Sequence, residues 1–379
     1  MKRQPTDMKL DDLYDPQRVA QVEQRQRNAF GWHPQNYIPL GLWVVNPDHA
    51  RQLDYRQWLE PAPFLEFQKH VLFDSLSVGS DLLPVIGINH FGTAVLNTMF
   101  GAEIFMPDRA IATLQDNGPT PMAVLENIQQ VDELNEPRLD AGMMPQVESF
   151  CRYYRTHLPN WVRIGTPLPN GPFSCAMELR GSDFLIDLVD DPPRARRLIN
   201  LVAEAKVKAE HHLRHVLGEP MDRFWSNFGI AGPGLRLGDD SICFLSSHMI
   251  QQFALAGIAA VNRLTRGTGY VHFCSLSQSR FEQIYPTFLN TPAVRVISSQ
   301  LAFEYYSEHL EELRGRLAVE SLYAPGHTYV CEKYGSFANW ADEFVPRFKN
   351  ESGLVLYFQV STVEEGREIW SDWQRAHRI

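Results

Sequence analysis

The sequence predicts an α/β protein folded as a (β/α)8 TIM barrel with an N-terminal helical extension. Three observations carry this. The chain has 379 residues, more than the ~100–150 of an ordinary domain and enough for one barrel of about 250 residues with insertions. Eight short apolar runs are mostly separated by helical segments, and such alternation builds right-handed βαβ units on a parallel sheet. No glycine-rich phosphate loop follows any run. GIAGPG at 229–234 fits neither GxGxxG nor a P-loop, which argues against an open, doubly wound sheet. Residues 1–30 are read as the extension and 31–379 as one barrel domain.

The eight strands are expected at YIPLGLWVV (37–45), DLLPVIG (81–87), WVRIGTP (161–167), RFWSNFGI (223–230), TGYVHFC (268–274), AVRVISSQ (293–300), AVESLYA (318–324) and GLVLYFQV (353–360). Three helices stand out between and after them. DDPPRARRLINLVAEAKVKAEHHLRHVLGE opens on prolines and continues with apolar residues at helical spacing. SSHMIQQFALAGIAAVNRLTRGTG starts at a serine cap and stops at Gly267 and Gly269. STVEEGREIWSDWQRAHRI begins with Ser and Thr and fills its first turn with acids.

Composition narrows the function classes. Apolar residues make up 44% of the chain, enough for a large core, and the net charge is −10. An acidic chain with no long basic run is a poor partner for nucleic acid or an anionic membrane surface. No stretch approaches the ~18 uncharged apolar residues of a membrane span, and the first thirty residues lack a secretory apolar region. The five cysteines are scattered without a CxxC pair, so a cytoplasmic location with reduced thiols is expected.

In a barrel the reactive groups gather at the C-terminal ends of the strands. His272 and Cys274 are two apart at one such end, and residues i and i+2 of a strand face the same way. Imidazole and thiolate are favoured zinc ligands, and a catalytic zinc takes about three protein ligands and one open position. Candidates for the third are Cys331, with His327 beside it, and then Glu351 and Asp240. Asp239 and Asp240 adjoin a serine-capped helix and point in different directions if the chain is extended there. One of them could orient substrate or move a proton. Asp81 opens an apolar run, and Asn89 and His90 follow in a stretch where Gly87, Gly92 and Gly101 let backbone approach a ligand. Asn89, His90, Asn227, Ser246 and Gln300 are the candidate substrate-binding residues.

Taken in order, SDLLPVIG…FGAE, GPFSCAMELRGSDFLIDLVDDPPRARRLI, GDDSICFLSSHMIQQF and VHFCS resemble segments of the uroporphyrinogen decarboxylase superfamily. That superfamily includes the decarboxylase and the cobalamin-dependent, methylcobalamin:thiol methyltransferases, all (β/α)8 barrels. The resemblance runs over roughly residues 20 to 375. Ser247 stands where the family's helix start has Pro, and Ser275 where its His-x-Cys-Gly has Gly. It implies that Asp81 matches the aspartate that contacts the pyrrole nitrogens in the decarboxylase. The decarboxylase's substrate-binding Arg segment has no counterpart in PLGLWVVNPD, and its GHG histidine none in GLVLYFQVST. It also implies that His272 and Cys274 match two of the three zinc ligands of the methyltransferases. Their third, a cysteine after the last strand, is replaced here by the stretch Gln359, Val360 and Ser361, and Cys331, which lies earlier in the chain, is the first candidate to substitute, ahead of His327 or a carboxylate.

What the resemblance implies is a barrel enzyme that transfers a methyl group between a corrinoid (cobalamin) and a small-molecule substrate. Zinc on His272, Cys274 and Cys331 would activate a thiol or similar nucleophile, and Asp81 and Asp240 would position substrate. A corrinoid-binding protein and a second copy in a homodimer are the candidate partners. The alternatives are a metal-free decarboxylase of a tetrapyrrole-like or other carboxylated substrate acting through Asp81, and a non-catalytic corrinoid- or porphyrin-binding protein.

Overall fold

Each of the eight apolar runs forms a strand. The computed structural model describes residues 9–45, 59–88, 91–105, 119–226, 228–265, 267, 269–274, 277–300, 302–322 and 327–378. Among these residues the strands are β1 (Leu40–Val44), β2 (Val85–Gly87), β3 (Ile104–Phe105), β4 (Thr120–Pro121), β5 (Arg163–Gly165), β6 (Arg223–Ser226), β7 (Ile230–Pro233), β8 (Arg236–Gly238), β9 (Gly269–His272), β10 (Val294–Ser299), β11 (Ala318–Leu322) and β12 (Leu354–Val360). Six of them make one sheet in the order β1-β12-β11-β10-β9-β8, every neighbouring pair parallel. β2 and β5 form a separate parallel pair.

This is a mixed α/β fold around a parallel sheet, and the ladders do not run unbroken around eight strands. A few isolated backbone bonds join the six-stranded sheet to the segments that flank β2 and β5. On one side Asp81 N–H donates to Leu40 O at 2.9 Å. On the other, Gly171 N–H donates to Gly238 O at 2.8 Å and Gly238 N–H to Pro169 O at 2.7 Å.

The fourth run departs from its expected form. RFWS becomes β6, but Gly229 at φ 70° lets the chain turn back, and β7 returns antiparallel to β6. Left-handed backbone of this kind suits glycine. The strand that joins the sheet beside β9 is β8, only three residues long.

The three expected helices form for the expected reasons. Pro192–Leu217 is capped by Asp191, opens on prolines and ends at Gly218, φ 70°. Its inward side buries Leu198, Val202, Ala209 and Leu213 against the core. The serine-capped segment begins at Ser247, passes through a π-helical stretch at Ile250–Ala254 and continues as Leu255–Thr265. Thr362 caps Val363–His377, with Glu364 and Glu365 in the first turn.

The helix Pro16–Phe30, expected to lie in an extension, is stitched into the fold. Gln26 is fully buried. Its amide donates to Asp81 O at 2.9 Å and Gly229 O at 3.2 Å, and its carbonyl accepts from Ala231 N–H at 2.9 Å. No helix among the described residues is long and apolar enough to cross a membrane.

Candidate metal centre

β8, β9 and β10 lie side by side, with Gly238 opposite His272 and His272 opposite Ser298. Just past their C-terminal ends, Asp240, His272 and Cys274 converge, one ligand atom of each lying within 4.8 Å of the others. His272 Nε2 is 3.9 Å from Cys274 Sγ and 3.8 Å from Asp240 Oδ1. The imidazole is buried at 8% exposure, whereas the Asp240 side chain is 56% exposed and Cys274 is also exposed. The cluster is therefore anchored on one side and open on the other.

Local bonds fix this arrangement. Ser298 Oγ stands 3.1 Å from His272 Nδ1, which leaves Nε2 turned toward the thiol and the carboxylate. A ligating histidine is oriented in this way by a partner on its other nitrogen. Asp240 Oδ1 accepts from Cys274 N–H at 2.8 Å, and Asp239 N–H donates to His272 O at 2.8 Å. The adjacent carboxylates thus diverge as expected. Asp239 turns inward, fully buried, and accepts from Ser174 N–H at 2.9 Å at the start of the helix Pro172–Arg180.

Electrostatics follow burial. Burial, and after it the Arg236 charge, holds His272 well below its usual range, so the imidazole is neutral and has a lone pair to offer. Burial and the Asp240 charge push the Cys274 thiol up to about 11. Burial pushes Asp239 up to about 7 against its bond from Ser174. Nearby, Glu178 accepts from Asn97 at 3.0 Å and from Asn170 at 2.8 Å, and burial takes it to about 7 as well. This polar cluster borders the centre and was not read from the sequence.

The donor set fits zinc. Two ligands on a tetrahedral zinc at bond lengths of about 2.0–2.3 Å stand roughly 3.4–3.6 Å apart. The two separations from His272 Nε2, 3.9 Å to Cys274 Sγ and 3.8 Å to Asp240 Oδ1, need to close by only a few tenths of an ångström. Imidazole, thiolate and carboxylate are all zinc donors, and three of them with one open side is the number a catalytic zinc uses.

The remaining expected residues fall as follows. Cys331 is half-buried in the helix His327–Tyr334 and does not join the cluster. It lies on a helix after β11 rather than at a strand end, and Asp240 takes the third place. The His327 side chain lies outside the described set. Glu351 is held by Arg314 at 3.0 Å. Ser246 caps its helix through Met249 N–H at 3.3 Å. Gln300 directly follows β10 and is exposed. Asn89, His90 and Asn227 lie outside the described residues.

Asp81 is not at this centre. Its backbone bonds to Leu40, the first residue of β1, so it sits at the opposite end of the sheet. Its carboxylate accepts from Arg25 at 2.8 Å and from Leu40 N–H at 3.2 Å. At 1% exposure it anchors the helix Pro16–Phe30 through Arg25.

No protein-family model and no curated protein matches this chain. Among solved structures it is similar in fold to a methyltransferase from Methanosarcina mazei, with a TM-score of 0.66 and 12% identity. The likeness covers 93% of this chain and 98% of that one.

Proposed function

We propose that this chain is a methyltransferase of the uroporphyrinogen decarboxylase and cobalamin-dependent methyltransferase superfamily, with the eight expected strands closed into a barrel. Asp240, His272 and Cys274 hold its zinc, and a corrinoid, free or on a partner protein, gives or takes the methyl group. The observation that carries this reading is the convergence of three unlike zinc donors at the strand ends. The fold likeness over nearly the whole chain supports it, as do the isolated backbone bonds that link β1 to the segment before β2 and β8 to the segment after β5.

When bound, zinc depresses the pKa of a coordinated thiol, so that a nucleophilic thiolate persists at neutral pH. The chain's own residues prepare for this. Ser298 presents a neutral His272, and the Asp240 carboxylate both ties down the Cys274 backbone and adds negative charge to the donor set. The exposed side of Asp240 and Cys274 leaves room for the substrate and the methyl carrier. The decarboxylase alternative rested on Asp81, whose carboxylate is already taken by Arg25 and Leu40.

The test is zinc content after expression in zinc-replete medium. Wild type carries stoichiometric zinc, and Cys274→Ala and Asp240→Asn lose most of it. Wild type without stoichiometric zinc overturns the metal centre. Loss of the methylcobalamin absorbance in the presence of a thiol, in wild type but not in Cys274→Ala, tests the transfer.

A further inference from the structure

Two charged side chains lie inside the sheet next to the metal centre and take no part in it. Arg236 pairs in register with Tyr270, Glu320 with Ser298, and Ser298 with His272. Residues paired across parallel strands, and residues two apart along a strand, share a face. Arg236, Glu320, Ser298 and His272 therefore occupy one face. It is turned away from the helix Leu255–Thr265, because a Cβ on Gly269, the residue before Tyr270, would meet Ile258 and Asn262 of that helix at 3.2 and 3.3 Å.

Arg236 reaches up this face. Gly238 has no side chain, and a Cβ there would stand 3.7 Å from Arg236 Nη1. The guanidinium thus extends toward the level of His272, whose charged form it disfavours. Arg236 is partly accessible, whereas Glu320 is buried at 2% exposure. Among the described residues neither side chain makes an ion pair or a hydrogen bond. Glu320 is nonetheless near enough for Arg236 to oppose the rise, to about 7, that burial imposes on it.

A buried carboxyl without a partner is costly, and a half-buried guanidinium beside it is left short of acceptors. One kind of group relieves both. A carboxylate accepts two bonds from a guanidinium in its fork geometry and can also accept the proton of a neutral carboxyl. We infer that Arg236 and Glu320 form the subsite that holds the carboxylate of a small organic acid, the substrate whose other end reaches Asp240, His272 and Cys274. The inference rests on the reading of that cluster as the reactive end. It makes Arg236 a specificity determinant that the cysteine and histidine pattern does not announce.

The experiment is a calorimetric titration of the protein as purified, with propionate and with its neutral isostere propionamide. Wild type binds propionate at least about tenfold more tightly than propionamide, as loss of a charge-assisted bond requires. Arg236→Gln removes that preference, and Arg236→Lys restores part of it. Equal binding of the two probes by wild type, no propionate binding, or a preference that survives Arg236→Gln overturns the subsite. The wild-type comparison decides the matter even if Arg236→Gln does not fold. Zinc is measured in the same preparations. An Arg236-dependent preference without zinc sinks the metal reading alone, and stoichiometric zinc without the preference sinks the subsite alone.

Discussion

At the scale of single residues, the second nitrogen of His272 decides how well Nε2 is aimed. Ser298→Ala removes the hydroxyl 3.1 Å from Nδ1 and leaves every donor in place. Zinc affinity, read by competition with a chromophoric chelator, falls about tenfold or more, as is usual when such a partner is lost. Glu320 gives a prediction about pH. Its folded-state pKa is raised to about 7, above its unfolded value near 4.3. The folded protein therefore binds the extra proton, and stability is full below about pH 4 and declines as pH rises through about 7. Glu320→Gln makes the protein more stable than wild type at pH 8, by on the order of 1–3 kcal/mol, with little change at pH 5. Urea melts at the two pH values check this, and equal shifts at both would refute it. That His272 and Cys274 face the same way was legible in VHFCS because a period of two is visible in a short string. Arg236 and Glu320 were not, since RLG and AVESL read as a loop and an apolar run until register shows which way their charges point.

At the scale of elements, the helix Pro172–Arg180 positions the centre without touching it. Asp239 fills the space above Gly171, where a Cβ would lie 2.3 Å from its carboxyl carbon. Gly171→Ala therefore expels Asp239 from the helix start and drags its neighbour Asp240. The expected cost is about 1–3 kcal/mol in chemical denaturation, together with weaker zinc retention. A variant of unchanged stability and zinc content would show that the two aspartates move independently. The sequence placed all eight runs as strands because apolar content and flanking turns locate strands well. It missed that the fourth doubles back, since the turn depends on the conformation of Gly229, and it missed β8, since three residues are too few to show a period. That Asp240, and not Cys331, stands beside His272 and Cys274 was hidden for a related reason. Cys331 is a better zinc donor than a carboxylate by chemistry alone, but it sits on a helix, whereas Asp240 is placed by the ladder between β8 and β9.

At the scale of the whole molecule, the N-terminal helix ties the fold together at the end of the sheet away from the metal centre. Gln26→Ala strands the buried Asp81 carbonyl and the Ala231 N–H, while Gly229 O keeps its bond from Leu83 N–H. It should cost on the order of 2–4 kcal/mol, while zinc content at low temperature stays that of wild type. Asp81→Asn should behave likewise, losing stability and keeping zinc. If Asp81→Asn instead kept its stability and lost methyl transfer, the aspartate would be a substrate group after all. The resemblance marks Asp81 as a substrate group, the role these variants test, and its short motif carries no information about which end of a strand it serves. The bond from Ala231 to Gln26 spans 205 residues. During synthesis, then, the helix Pro16–Phe30 can meet Asp81 early, but its seat is completed only once β7 has been made, and until then the Gln26 side of the helix is a natural target for chaperones.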